Sequence, residues 1–419
     1  MSNYTATTQY TAAGIYVHVP YCIKKCRYCD FVSFEKASED EYFEKVAADI
    51  KRAGQAIKLA VDTVFFGGGT PSLASREQLA MVMDAIRESF KIAEDPEITI
   101  EVNPETITAE KAAELKSLGF SRISMGVQSL DDNVLAAMGR VHSADRARLA
   151  FKILREAGFD NINLDLIFGA PMRDPSSQKD IGQTFESWQS TLDEVIAMAP
   201  EHISFYSLQL EEGTPLFEAY RSGRVELPAW EDNRRMYHYA VEMLREKGYH
   251  HYEVSNAARP GFECRHNLKY WTMQPYLGFG TSAHSFTGLC RGEADWSRGV
   301  EVCEAGPGSV PQGCETGQES GENAANACKY SIFGLEPESL ADLKGDFIFT
   351  QLRLTGGLDA ELYKAVFGTE FAEDFGGGGK LQKLIKEGLL QATEKGFKLT
   401  PKGLDNTNPV MEELLAALP

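Results

Sequence analysis

Cys22, Cys26 and Cys29 stand as C-x3-C-x2-C within the stretch GIYVHVPYCIKKCRYCDFVSF, from Gly14 to Phe34. Three thiols at this spacing, in what reads as a loop, are candidate metal ligands. A four-iron cluster normally takes four cysteines. Three leave one iron with an open coordination position, the property that separates a catalytic metal site from a structural one. Two plainer readings compete. Isolated buried thiols are common in cores, but the crowding argues against them. A zinc knuckle needs a fourth nearby ligand, and the close candidate, His18, sits inside an apolar strand pattern.

Further along, Gly67-Gly68-Gly69-Thr70-Pro71 would let a backbone approach a ligand closely, although tight turns look alike. Glu101 in EVNPE, Gln128 in GVQS, Arg140 in MGRVH and Asp165 in DLIFG supply polar groups. Carboxylates accept from hydroxyls, and an arginine forks onto a carboxylate. A second dense stretch runs from 250 to 286 and contains CRHNLKYW. Histidine is a standard axial ligand of haem iron. His266 therefore suggests a ligand, with Tyr270 and Trp271 flanking a flat macrocycle and Arg259, Arg265 and Lys269 meeting its propionates. The plainer reading is a histidine satisfied inside a core turn. His250, His251, His284 and Cys264 are the next candidates. Because this stretch lies outside the barrel strands, it is expected to cover the barrel mouth.

These residues must be positioned by the elements around them. Six short β-branched runs (15–20, 63–69, 97–104, 122–129, 161–169 and 202–210) alternate with helical patterns such as 41–57, 76–90, 109–118 and 143–157. The alternation predicts a parallel sheet with right-handed crossovers. The fold class is α/β, a partial (β/α)6 barrel, with a doubly wound sheet as the alternative. The strands read as continuous apolar runs, as when both faces are covered. The polar residues fall at C-terminal strand ends, where barrel enzymes build their sites. The chain divides into a loose tail (1–13), the barrel (14–249), the stretch 250–286, a flexible insertion (287–334) and a small α+β, winged-helix-like domain (335–419). Cys290, Cys303, Cys314 and Cys328 read as solvated loop thiols of the insertion.

The motifs IYVHVPYCIKKCRYCDF, FFGGGTPS, RISMGVQS, LDLIFGAP, HNLKYW and YLGFGTSAHS occur in one order. Together they resemble the radical S-adenosylmethionine (SAM) superfamily, in its oxygen-independent coproporphyrinogen III oxidase-like branch. The resemblance covers nearly all of 14–286 and returns at 345–419. It implies a radical SAM barrel with a [4Fe-4S] cluster on Cys22, Cys26 and Cys29, whose unique iron binds SAM. It implies SAM contacts from Tyr16, Tyr28, Gly68, Gly69, Thr70, Glu101, Gln128, Arg140 and Asp165. The coproporphyrinogen oxidases typically carry another cysteine two residues after the third, where this chain has Phe31. That form, with HNLKYW, is similar to the HemW haem chaperone branch. The branch implies haem bound through His266, Tyr270 and Trp271 and delivered to haem-accepting proteins, a chaperone rather than an enzyme of porphyrin biosynthesis. Oxidation of coproporphyrinogen III is the alternative, and tRNA modification a weaker one.

Composition narrows the partners. Of 419 residues, 43% are apolar, ample for one barrel-sized domain and something smaller. A net charge of −19 opposes nucleic acid as the main partner. The first residues, MSNYTATTQY, lack the basic and apolar regions of a signal peptide. No apolar run reaches the roughly 18 residues of a membrane span. The cysteine pattern suits a reducing compartment, so a cytoplasmic location is expected. Peripheral membrane association and a homodimer are left open.

Overall fold

Polar and apolar side chains alternate along the barrel strands, and this alternation shapes the fold. The computed structural model describes residues 12–177, 179–288, 290–295, 335–376 and 379–416. Six strands, β1 (Ala12–Val19), β2 (Ala60–Gly68), β3 (Lys91–Val102), β4 (Arg122–Gln128), β5 (Ile162–Phe168) and β6 (His202–Ser207), pair in chain order, each parallel to the next. Successive side chains point to opposite faces. Ile15, Val17, Val64, Phe66, Ile100, Met125, Leu164 and Phe205 face outward into the main core. Tyr16, Phe65, Glu101, Ser124, Asp165 and Tyr206 face inward and line a hollow. The expectation of continuous apolar runs is corrected here. Only the outer face is apolar, because helices cover that face alone and the inner one surrounds a polar cavity.

Helices α1 (Asp40–Ala56), α2 (Arg76–Ser89), α3 (Ala109–Leu118), α4 (Ala144–Glu156), α5 (Phe185–Met198) and α6 (Trp230–Glu246) form the outer layer. Their ends follow local chemistry. Ser75 and Gln78 close a capping box at the start of α2. Thr108 caps α3, which Gly119 ends in a left-handed conformation. The barrel stays open. Beyond β6, β7 (His250–Glu253) and β8 (Asn256–Ala258) extend the sheet antiparallel. Beyond β1, β9 (Tyr276–Phe279) adds a parallel strand, followed by β10 (His284–Phe286), β11 (Cys290–Glu293) and β12 (Glu336–Pro337).

Helix α7 (Arg265–Trp271), which carries CRHNLKYW, sits at the opposite end of the barrel from the one expected. It plugs the floor, at the N-terminal strand ends, and does not cover the mouth. Buried Glu97, midway along β3 just past a register shift, accepts from the backbone N–H of Arg265 and of His266, both at 3.0 Å. Lys269 pairs with Asp62 at 2.8 Å. Gly14 permits the close fit, since a Cβ there would stand 3.0 Å from the His266 ring.

A second core, including Phe347, Tyr363, Phe371, Phe375, Leu384 and Val410, holds the C-terminal region. It joins helices such as Leu340–Gln351 and Thr407–Leu415 to an antiparallel three-stranded sheet. The Gln351 amide donates to the Trp271 carbonyl at 2.8 Å, and Arg353 lies over the Trp271 ring, fixing this region against α7. Residues 1–11 of the expected tail and 296–334 of the expected insertion lie outside the described residues, with Cys303, Cys314 and Cys328. Two expectations at their margins are corrected. Ala12 and Ala13 already belong to β1, and Cys290 is a buried strand residue because β11 pairs on both sides. Among the described residues, no helix is long and apolar enough to cross a membrane.

Candidate functional site

The loop after β1 holds Cys22, Cys26 and Cys29, all half-buried and free of disulfides. The three are close enough to feel one another's charge. Burial, then the neighbouring Cys26, hold the Cys29 thiol up at about 11, against a backbone hydrogen bond from Phe31. Burial raises Cys22 as well. Among the described residues, no three His, Cys, Asp or Glu side chains converge on a point that would hold a single ion. The thiolates of an iron–sulfur cube bind separate irons, so a cluster does not require them to converge on one point. Phe31, two residues after Cys29, is 62% exposed, beside exposed Ile23, Val32 and Phe34.

A hydrogen-bond chain ties this loop to the strand ends. The Thr70 hydroxyl donates to Cys22 Sγ at 3.7 Å and accepts from Asn103 at 2.9 Å. Arg140 completes the circuit, donating to Cys26 Sγ at 3.3 Å, Asn103 Oδ1 at 2.7 Å and the Gly126 carbonyl at 2.8 Å. Burial alone would lower the Arg140 pKa, but Tyr28, Cys26 and Glu105 outweigh it and the guanidinium stays charged. Tyr28 packs with Val134 and Met138 of the short helix preceding Arg140. Asn103 is thus the hub of the circuit. His18, weighed in the sequence only as a zinc ligand, is a second member: its Nε2 donates to the Val32 carbonyl at 2.8 Å, so its Nδ1 accepts from the Tyr16 hydroxyl at 3.1 Å. The period of two was the available signal, since it puts His18 with Tyr16, and Asn103 with Glu101, on the inner face.

The glycine turn closes on this assembly. Gly68 adopts φ +110°, and a Cβ there would stand 2.5 Å from the His18 ring. Its N–H donates to Glu101 Oε2 at 3.0 Å. Gln128 carries a positive φ of 64° beside a register shift in β4. A non-glycine residue there is costly, and such strain concentrates at functional sites. Asp165 accepts from Ser124 at 3.1 Å and Asn163 at 2.8 Å. Burial, then the Asp165 charge, push the Glu101 carboxyl up to about 8. Burial raises Asp165 too. The structure therefore brings Tyr16, Tyr28, Gly68, Gly69, Thr70, Glu101, Gln128, Arg140 and Asp165 together around the mouth and upper interior.

It does not bring His266, Tyr270 and Trp271 to that mouth. His266 is fully buried, with Nδ1 on the Thr63 hydroxyl at 2.9 Å and Nε2 on the Tyr270 hydroxyl at 2.8 Å. Neither nitrogen is free for iron in this arrangement. Tyr270 packs edge-on to Tyr276 and borders the interior hollow with His266, while Trp271 meets Arg353. Burial, then Lys269 and Arg122, hold the His266 pKa down at about 3. The unfolded chain takes up this proton near 6.5 while the folded chain does not until about 3. Acidification through that window therefore removes stability. Between pH 7 and pH 5 the metal-free wild type is expected to lose about 2 kcal/mol more than His266→Gln in urea unfolding. Equal losses would contradict this assignment.

Comparison with known proteins follows the same lines. A family described as the radical SAM superfamily matches residues 16–181, and one described as the HemN C-terminal domain matches 339–405. Heme chaperone HemW of Bacillus subtilis (strain 168) is 32% identical over 410 residues, spanning 96% of this chain and 99% of its own. Heme chaperone HemW of Escherichia coli (strain K12) is 35% identical over 275 residues, spanning 65% of this chain and 69% of its own. The solved structure of coproporphyrinogen III oxidase (HemN) from Escherichia coli superimposes with a TM-score of 0.73 at 23% identity, covering 98% of this chain and 91% of that one. That likeness is one of fold.

Proposed function

The chain belongs to the heme chaperone HemW family of the radical SAM superfamily, and from that premise we propose that it binds haem and passes it to haem-accepting proteins. The observation that carries this is the match to a heme chaperone over nearly the whole of both chains. Phe31 supports it, since a solvent-facing phenyl stands where the oxidase pattern has a further thiol. Membership of the superfamily implies a [4Fe-4S] cluster and SAM.

The assignment of residues is also our proposal. Cys22, Cys26 and Cys29 hold the cluster and leave its fourth iron to SAM. When bound, the cluster supplies single electrons. The chain's own part is placement. Arg140, already charged and fixed by Asn103, meets the SAM carboxylate. Glu101 and Asp165 accept from ribose hydroxyls, and the Gly68–Thr70 backbone lies against the amino group. Tyr16, Tyr28 and Gln128 bound the pocket. A loop of free thiols suits a reducing compartment, and we place the protein in the cytoplasm.

For haem iron, access decides between the histidines. His266 would have to break its bond to Tyr270 inside the floor. His250 is exposed, but on β7, which lies at the floor side through its pairing with β8. His284 opens β10 at the mouth side, beside Thr281, whose N–H reaches Tyr42, and its side chain is 60% exposed. We therefore assign the iron ligand to His284. Haem titration of reconstituted protein tests this. His284→Ala is expected to shift the Soret band while His266→Ala keeps the wild-type spectrum. A shift in His266→Ala alone would mean that the floor helix opens to take the iron. No haem binding by the wild type would overturn the function.

A further inference from the structure

Arg122 is 2% exposed at the start of β4, on the inner face. Among the described residues its guanidinium makes no hydrogen bond and no ion pair, and its Nε is buried without an acceptor. Burial alone would lower the Arg122 pKa, but Cys264, Glu97, Tyr252 and Asp165 outweigh it. What the guanidinium lacks is hydrogen-bond acceptors, and buried donors left without them are costly. The carboxylates nearby are committed elsewhere. Glu97 takes the backbone N–H groups of Arg265 and His266 and the Cys264 thiol. Asp165 takes Ser124 and Asn163, and Glu101 takes the Gly68 N–H. The Arg122 side chain instead borders a cavity of about 220 Å³, whose wall also carries Tyr16, Glu101 and Asp165 of the proposed SAM pocket. Asn267, from the floor helix, borders the same cavity, and its side-chain amide has no hydrogen bond among the described residues.

We propose that this cavity is a binding site for a small carboxylate, held in a two-pronged contact by Arg122 and capped by Asn267. The guanidinium fork matches a planar carboxylate, whose two oxygens supply the missing acceptors. Glu101 and Asp165 line the upper wall, where a multiply charged anion such as phosphate would bring more charge than one guanidinium offsets. The volume admits a short carboxylate with a few waters, each occupying about 30 Å³, and excludes a macrocycle. The carboxylate is therefore either a free small acid or a propionate arm reaching down from haem. The site itself does not rest on the haem reading, because the first source involves no haem.

The test uses reconstituted full-length protein and two probes. In the first arm, ¹³C-acetate is titrated and followed by NMR line width. The wild type is expected to bind saturably and more tightly than it binds inorganic phosphate. Arg122→Gln and Asn267→Asp are each expected to bind at least tenfold more weakly. Asn267→Asp retains the arginine, which keeps the test valid if Arg122→Gln folds poorly. In the second arm, haem and its dimethyl ester are compared. At least tenfold loss in both variants for haem, but not for the ester, assigns the carboxylate to a propionate and supports the site. Absence of both effects, or tighter binding of phosphate, would mean a water-filled cavity and overturn the proposal.

Discussion

Anaerobic reconstitution of the Cys22→Ala/Cys26→Ala/Cys29→Ala variant is expected to return protein without iron–thiolate charge-transfer absorption, whereas the wild type gains it. The expectation follows from how these thiols are held. They influence one another electrostatically, and each end of the loop is tied to the barrel, Cys22 through Thr70 and Cys26 through Arg140. The other described thiols are poor substitutes. Cys264 is fully buried in the floor, with its pKa pushed up to about 12 by burial, and Cys290 is 2% exposed in a strand. Neither is open to an incoming cluster, whereas the three loop thiols are only half-buried. A full iron load in the triple variant would show that the metal sits elsewhere.

Replacing Glu97 with leucine is expected to destabilise the protein more than any single change at the mouth. Glu97 is 7% exposed and caps the floor helix through two backbone N–H groups and the Cys264 thiol. Leucine leaves those donors without an acceptor in a closed space. Each stranded donor costs about 1–3 kcal/mol, so a loss of about 4 kcal/mol is expected. Glu97→Gln keeps an acceptor oxygen and is expected to lose roughly half as much. Guanidinium unfolding measures both. Hydrogen exchange at Arg265–Trp271 is expected to accelerate in the leucine variant, because the floor helix loses its anchor. An unchanged midpoint would show that Lys269, Gln351 and the packing around Tyr270 hold α7 without Glu97.

Much of this architecture was legible in the residues. The six strands and their helices follow from the alternation of β-branched runs with helical patterns. The gathering of Gly68, Glu101 and Gln128 at one end follows from their places late in the strands, whereas Asp165, expected at a strand end, stands midway along β5 and faces the interior. The direction of the floor helix was not legible. CRHNLKYW carries a helical pattern, but nothing local says which end of the barrel it meets. That depends on Glu97 and Asp62, some 170 and 200 positions away in the chain. The same distance hid the state of His266, whose partner Thr63 belongs to another strand. The parts played by Asn103 and His18 were not legible, since Asn103 reads as one more polar residue at a strand end and His18 as a strand residue or a zinc ligand. Their importance comes from Arg140 and Val32 approaching across the sheet. Cys290 looked solvated because its neighbours in sequence are polar, yet β10 and β12 enclose it.

The central claim is that this member of the radical SAM superfamily carries haem rather than making a porphyrin. Its most direct test presents the anaerobically reconstituted wild type, with SAM and dithionite, to haem followed by an apo-haemoprotein, and in parallel to coproporphyrinogen III. The account predicts stoichiometric haem uptake, transfer that restores the acceptor's Soret spectrum, and no decarboxylated product. Catalytic conversion of coproporphyrinogen III without haem transfer would contradict it.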